Sequence, residues 1–214
     1  MERPEPMLGY YNYTVILTYI GAASGIYGII ATLSRQSPRL GVLCLMLSGL
    51  CDMFDGTVAR TRQRTDDEKR FGIQIDSLSD LICFGVLPAC IGYAVGMRKW
   101  YDMIILVSYP LAALVRLAYF NVKEETRQQT EGGKREYYEG LPVTNAALLF
   151  PFIFVLVPYI GVRYMAITYG VAMIFTAMAF VTNFKVKKAD IKGMLLLAVI
   201  GLIELILLIT GNVA

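Results

Sequence analysis

Residues 40–60 read LGVLCLMLSGLCDMFDGTVAR and, after a charged loop, residues 71–85 read FGIQIDSLSDLICFG. The first stretch is an apolar run that meets carboxylates at Asp52 and Asp55, and the second opens on Asp76 and Asp80 before an apolar run that continues to Gly96. Read as helices, the two are consecutive, joined by a short loop, and therefore antiparallel neighbours. Asp52 and Asp55 are three apart and Asp76 and Asp80 four apart, so each pair occupies one face of its helix. Four carboxylates can then converge on one point.

The surrounding chain fixes where that point lies. Of 214 residues, 56% are hydrophobic and only 17% charged, too apolar for an ordinary soluble domain. A bilayer core about 30 Å thick needs roughly 20 apolar helical residues. Seven runs separated by charge or proline approach that length: 14–33, 40–54, 73–96, 103–120, 141–160, 164–184 and 194–210. The expected fold class is all-α, a polytopic transmembrane helical bundle of about six to seven membrane helices. The amino terminus opens with acidic and proline residues, so no cleavable signal is expected.

Lys and Arg divide unequally between alternate loops. One side collects Arg3, Arg60–Arg70, the basic residues from Lys123 to Arg135 and those from Lys185 to Lys192, 14 in all; the other has only Arg35, Arg39, Arg98, Lys99 and Arg163, a total of 5. The excess marks the cytoplasmic side, placing the amino terminus and the Arg60–Gly72 loop inside and the carboxyl terminus outside. Gly21, Gly25 and Gly28 form a small-residue stripe suited to close helix packing. Cys44, Cys51, Cys83 and Cys90 sit in or beside apolar stretches and read as reduced packing residues. Glu204 is alone in the last run, facing a subunit interface, a cavity or the bundle.

The chain contains no histidine, which excludes imidazole triads, histidine zinc sites and histidine general bases. Chemistry must come from carboxylates. An uncompensated Asp at the centre of a span costs roughly 2.5 to 3.5 kcal/mol, so a cluster demands an offsetting cation. Clustered carboxylate oxygens are hard ligands suited to Mg²⁺ or Mn²⁺, and a pair of such ions is the usual apparatus for displacement at phosphorus. Gly56, Ala59 and Gly72 lie within a turn of these acids and let a bulky ligand reach the helix backbones, while Arg60 offers a guanidinium fork to a phosphate. A net charge of +3, spread over loops, gives no reason to expect a nucleic-acid partner.

The pattern D-x-x-D-G-x-x-A-R followed by G-x-x-x-D-x-x-x-D, filled by Asp52, Asp55, Gly56, Ala59, Arg60, Gly72, Asp76 and Asp80, resembles the signature of the CDP-alcohol phosphotransferases. These are integral membrane enzymes that move a phosphate-containing group from a CDP-linked donor to an alcohol. The resemblance implies metal ligation by Asp52, Asp55, Asp76 and Asp80, with two Mg²⁺ or Mn²⁺ ions, and a general-base role for Asp80. It also implies a CDP site lined by Gly56, Ala59, Arg60 and Gly72, with Asn12, Thr14 and Thr18 of the first helix as further nucleotide-binding candidates. A homodimer is expected on the same ground. Eleven residues separate Arg60 from Gly72 where the family usually has about eight, and the added polar residues within 65–70 are expected to lengthen the cytoplasmic loop by one helical turn.

Arg116-Leu117-Ala118-Tyr119-Phe120-Asn121, Gly140-Leu141-Pro142 and the run Asp76 to Gly85 resemble segments of the membrane-embedded (type II) phosphatidylserine synthases. Tyr119 stands where relatives often carry a second arginine. This resemblance covers roughly residues 10–160, the expected catalytic core of a single domain over 1–214, with residues 161–214 adding C-terminal membrane helices. It implies CDP-diacylglycerol and L-serine as substrates and phosphatidylserine and CMP as products, in a cell membrane with the site facing the cytoplasm. Arg116 and Asn121 are the acceptor-binding candidates, a cation and an amide for the serine carboxylate. Glycerol 3-phosphate or an inositol phosphate as acceptor is the alternative within the same chemistry. A divalent-cation transporter is the alternative outside it, disfavoured because the acids gather at one end of the membrane.

Overall fold

The computed structural model describes residues 9–130, 137–187 and 190–210. Arg3, Lys134, Arg135 and Lys188, counted above among the inward charges, lie outside the described residues. A 3₁₀ turn, Tyr13–Val15, leads into α1 (Ile16–Ser34), and α2 (Pro38–Ala59) follows. Then come α3 (Asp66–Asp80), a π-helical segment (Leu81–Val86) and α4 (Leu87–Ala94), which together form one continuous span. The chain continues through α5 (Trp100–Thr130), β1 (Tyr137–Glu139), α6 (Ala146–Ile160), α7 (Met165–Val181), β2 (Lys185–Lys187) and α8 (Ile191–Thr210). Among the described residues, seven helices are long and apolar enough to cross a membrane, which makes the chain a polytopic helical bundle.

Each boundary near the acids has a local cause. Ser37 caps α2, its side chain accepting from the Leu40 N–H at 3.4 Å, and Pro38 takes the first helical turn, where its missing N–H costs nothing. Thr65 and Glu68 form a capping box at the start of α3: Glu68 N–H donates to Thr65 Oγ1 at 3.2 Å, and Thr65 N–H donates to Glu68 Oε2 at 2.9 Å. The helical turn expected within residues 65–70 is present, but it belongs to α3 and not to the loop. Reciprocal capping starts the helix at Asp66, so the added residues extend α3 and leave a short loop after Arg60.

The stripe Gly21, Gly25 and Gly28 is where α1 meets α2 and the third span. A methyl group added at Gly25 would lie 2.5 Å from Cys83 Sγ, and one at Gly28 would lie 2.7 Å from Cys44 Cβ, so close packing explains these glycines. All four cysteines are free thiols, with Cys44, Cys51 and Cys83 buried. Deeper in, Tyr109 meets Phe150 edge to face and Phe150 lies tilted against Tyr169, with ring centroids 5.6 and 4.8 Å apart. Pro88 has no N–H for the carbonyl of Phe84 four residues back, and the buried Tyr109 hydroxyl donates to that carbonyl at 3.1 Å instead. Glu204 is buried within the bundle, and its Oε2 has no hydrogen-bond partner among the described residues.

The loops at the acid-bearing end are tied to one another. β1 pairs antiparallel with β2, joining the segment before α6 to the segment before α8. The sequence pattern had shown no such pairing. Gly140 turns the chain out of β1 with φ at +72°, and any Cβ there would meet three backbone carbonyl oxygens of 179–182 at 3.0–3.3 Å. Glu139 accepts from the Tyr119 hydroxyl at 2.6 Å and lies 3.9 Å from Lys123 Nζ, so the strand is held against α5.

Candidate active site

The acids of α2 and α3 meet as the spacing predicts. One carboxylate oxygen from each of Asp52, Asp76 and Asp80 lies within 4.8 Å of the others. Asp55 completes the set on the same small cavity of about 10 Å³, where its Oδ2 accepts from Thr18 Oγ1 at 3.2 Å. Thr18, Gly21 and Ser48 close the cavity from α1 and α2, and Ser79 and Cys83 close it from the third span. Ser79 Oγ donates to the Thr18 carbonyl at 3.4 Å, and Cys83 Sγ to the Gly21 carbonyl at 3.3 Å, which fixes α1 against the acid-bearing helix. Beside these residues the polar cavity has room for about one water-sized ligand.

Three mutually repelling carboxylates at this separation, with no cationic side chain lining the cavity, form a donor set that fits a hard divalent cation. Asp52, Asp76 and Asp80 are the residues placed to hold it, with Asp55 alongside. The π segment begins immediately after Asp80, and such local widening of a helix is frequent at functional sites.

Toward the loop, the remaining signature residues line the turns that follow. Gly56 is exposed, and a Cβ built there would have nothing within 4 Å. Ala59 is half-buried and ends α2, and Arg60 caps that helix with its side chain exposed. Gly72 faces a residue that motif reading passed over: Arg64 Nη1 would lie 3.1 Å from a Cβ at Gly72. Asn12 caps the 3₁₀ turn by accepting from the Thr14 N–H at 3.0 Å, the buried Thr14 hydroxyl bonds the same oxygen, and Asn12 Nδ2 donates to Glu68 Oε1 at 3.1 Å. Arg62 reaches the same Glu68 oxygen at 3.4 Å. Of the three first-helix candidates, Thr18 touches the acids, while Asn12 and Thr14 tie the amino-terminal turn to α3. Glu68, the hub of these contacts, was visible in advance only as the last residue of the T-x-x-E capping box.

Arg116 and Asn121 sit on different faces of α5. Five residues apart on one helix, they point about 140° from each other. Arg116 is buried with its guanidinium 5.7 Å from the centroid of Phe120. Asn121 accepts from Ser77 Oγ at 2.8 Å and opens on a second, larger cleft of about 280 Å³ between α3 and α5. Ser77 follows Asp76 directly, so this bond runs from the acid cluster to the cleft.

The chain is similar in sequence to known proteins. Over 140 residues the chain is 36% identical to a CDP-diacylglycerol--serine O-phosphatidyltransferase of Saccharomyces cerevisiae, covering 62% of this chain and 50% of that protein. It is 34% identical over 134 residues to an archaetidylserine synthase of Methanothermobacter thermautotrophicus, covering 62% and 53%. A CDP-diacylglycerol--serine O-phosphatidyltransferase of Mycobacterium tuberculosis is 29% identical over 133 residues, covering 62% and 45%. The chain thus spans about half the length of these curated relatives. Residues 11–183, from the 3₁₀ turn through α7, match the family described as CDP-alcohol phosphatidyltransferase, and with all eight signature residues in place the chain belongs to that family.

Proposed function

We propose that the protein transfers the phosphatidyl group of CDP-diacylglycerol to the hydroxyl of L-serine, giving phosphatidylserine and CMP. The observation that carries this reading is the convergence of Asp52, Asp76 and Asp80 at the family's signature positions, in a chain whose relatives are named for serine as acceptor. The serine oxygen forms the new bond to phosphorus, the bond from phosphorus to the CMP oxygen breaks, and the hydroxyl proton passes to Asp80. An alcohol is too weak an acid to react well without such a base. Bound at Asp52, Asp55, Asp76 and Asp80, one or two Mg²⁺ or Mn²⁺ ions would supply charge neutralisation at the phosphates.

The protein's own residues do the positioning. Gly56 leaves open space on α2 for the nucleotide, and Gly72 lets it approach α3. Arg60 offers its guanidinium to the diphosphate, with Arg64 beside Gly72 as a second cation. Thr18 orients Asp55, while Asn12 and Thr14 hold the amino-terminal turn over α3. Arg116 and Asn121 belong to the acceptor side. The unequal distribution of Lys and Arg supports a site on the cytoplasmic face of the cell membrane, and a homodimer completes the proposal by family resemblance.

The test is CMP release by purified protein with CDP-diacylglycerol and Mg²⁺ or Mn²⁺, comparing L-serine, glycerol 3-phosphate and inositol phosphate. Release stimulated by serine alone is expected. Stimulation by a phosphorylated alcohol would keep the CDP chemistry and overturn the acceptor.

A further inference from the structure

The cleft between α3 and α5 lies outside the eight-residue signature, and through Asn121 it reaches Ser77, the neighbour of Asp76. Its volume of about 280 Å³ is below that of most drug-sized pockets and suits a small polar molecule rather than a lipid. Asp66 and Lys69 line it and neutralise each other, with Lys69 Nζ 2.9 Å from Asp66 Oδ1. Arg70, Gln74 and Glu125 also line it, and no hydrogen bond or ion pair ties their side chains to any described residue. Asn121 completes the wall; with its Oδ1 engaged by Ser77, its amide N–H groups remain available.

The cleft therefore presents a guanidinium, a carboxylate and the Gln74 amide that no hydrogen bond ties to a described residue, beside the N–H groups of Asn121. This set matches a zwitterion: the planar fork of Arg70 suits a carboxylate, and Glu125 suits an ammonium group. A phosphorylated alcohol fits less well, because Glu125 would repel its dianion.

Helix geometry joins the cleft to the chemistry. Ile73, on its floor, precedes Asp76 by three residues and Asp80 by seven, so the three share one face of α3 and its π extension. Gly72 lies about 160° around the helix from Gln74, so the nucleotide side and the cleft side flank the acid face from opposite directions. A donor over Gly72 and an acceptor over Ser77 are then placed for displacement at phosphorus from the side opposite the departing CMP.

We propose that this cleft binds the acceptor as an α-amino acid zwitterion, with Arg70 holding its carboxylate and Glu125 its ammonium, next to the Asn121–Ser77 bond that leads to Asp76. The inference rests on the reading of the protein as a CDP-dependent transferase with an amino-acid acceptor.

Steady-state CMP release by full-length protein in detergent, for wild type, Arg70→Gln and Glu125→Gln, tests it. Each substitution is expected to raise the serine KM about tenfold or more, while the CDP-diacylglycerol KM stays within about twofold. Competing ligands assign the two charges. Inhibition by ethanolamine, which lacks the carboxylate, is expected to be unchanged in Arg70→Gln, and inhibition by 3-hydroxypropionate, which lacks the ammonium, unchanged in Glu125→Gln. A serine KM at the wild-type value in both variants, or a donor KM that rises in parallel, overturns the cleft assignment and leaves the proposed reaction standing. Wild-type protein whose CMP release does not respond to serine overturns the reaction itself, and this inference with it.

Discussion

Ser77 donates to Asn121 Oδ1 at 2.8 Å, and this one bond couples the turn of α3 that carries Asp76 to the end of α5 that lines the cleft. Ser77→Ala leaves Asn121 without its orienting donor while adding no bulk. The expected result is a serine KM raised several-fold with little change in the CDP-diacylglycerol KM, read from CMP release at varied serine.

The acids should separate binding from turnover. Asp80→Asn keeps the shape and is expected to abolish CMP release while leaving most CDP-diacylglycerol binding intact, measured by equilibrium binding of the labelled lipid. Loss of binding alone would remove Asp80 from the role of base. Chelation with EDTA should stop wild-type turnover, and Mg²⁺ or Mn²⁺ should restore it.

Gly56 provides a test in which stability and function move apart. Nothing lies within 4 Å of a Cβ at this exposed helical position, so Gly56→Leu should fold, and a better helix former gains up to about 1 kcal/mol. The same side chain fills the space proposed for the nucleotide. Thermal stability is expected to hold or rise while the CDP-diacylglycerol KM increases at least about tenfold, and an unchanged KM would move the nucleotide elsewhere.

The helical course and the acid cluster were legible because both rest on short-range periodicity. Apolar runs gave all seven spans, and i, i+3 and i, i+4 spacing brought Asp52, Asp76 and Asp80 together without knowledge of crossing angles. What escaped depended on contacts distant in sequence or on a cap treated as loop. Arg64 over Gly72, the pairing of β1 with β2, and the bond from Tyr119 to Glu139 have no local pattern to announce them. The start of α3 was readable in the T-x-x-E box at Thr65, but the helical turn expected within residues 65–70 was assigned to the loop and not to α3.

That cap carries its own prediction. Thr65→Ala removes the acceptor for the Glu68 N–H and should lower stability by about 1 kcal/mol. Because Glu68 also holds Asn12 and Arg62, amide exchange should quicken in the first turn of α3 and at 12–15, and protection unchanged at both would show that the capping box does not hold this corner.

Gly140→Ala forces a side chain into a left-handed backbone position against three carbonyl oxygens. The conformation alone costs about 1–2 kcal/mol, and crowding adds to it, so a clear fall in thermal stability is expected. Stability equal to wild type would mean that the turn before α6 can be rebuilt without consequence.

The π segment Leu81–Val86 works as a phase shift between the two halves of the third span. Its widened turn resets the azimuth after Asp80, so the face that carries Asp76 and Asp80 need not continue into the face on which Leu87 and Ile91 are buried. Reactive and packing halves are thereby indexed independently along one continuous helix. Deleting a single residue within 81–86 would swing the acids by about 100° relative to the bundle core, a change in aim with no change in composition.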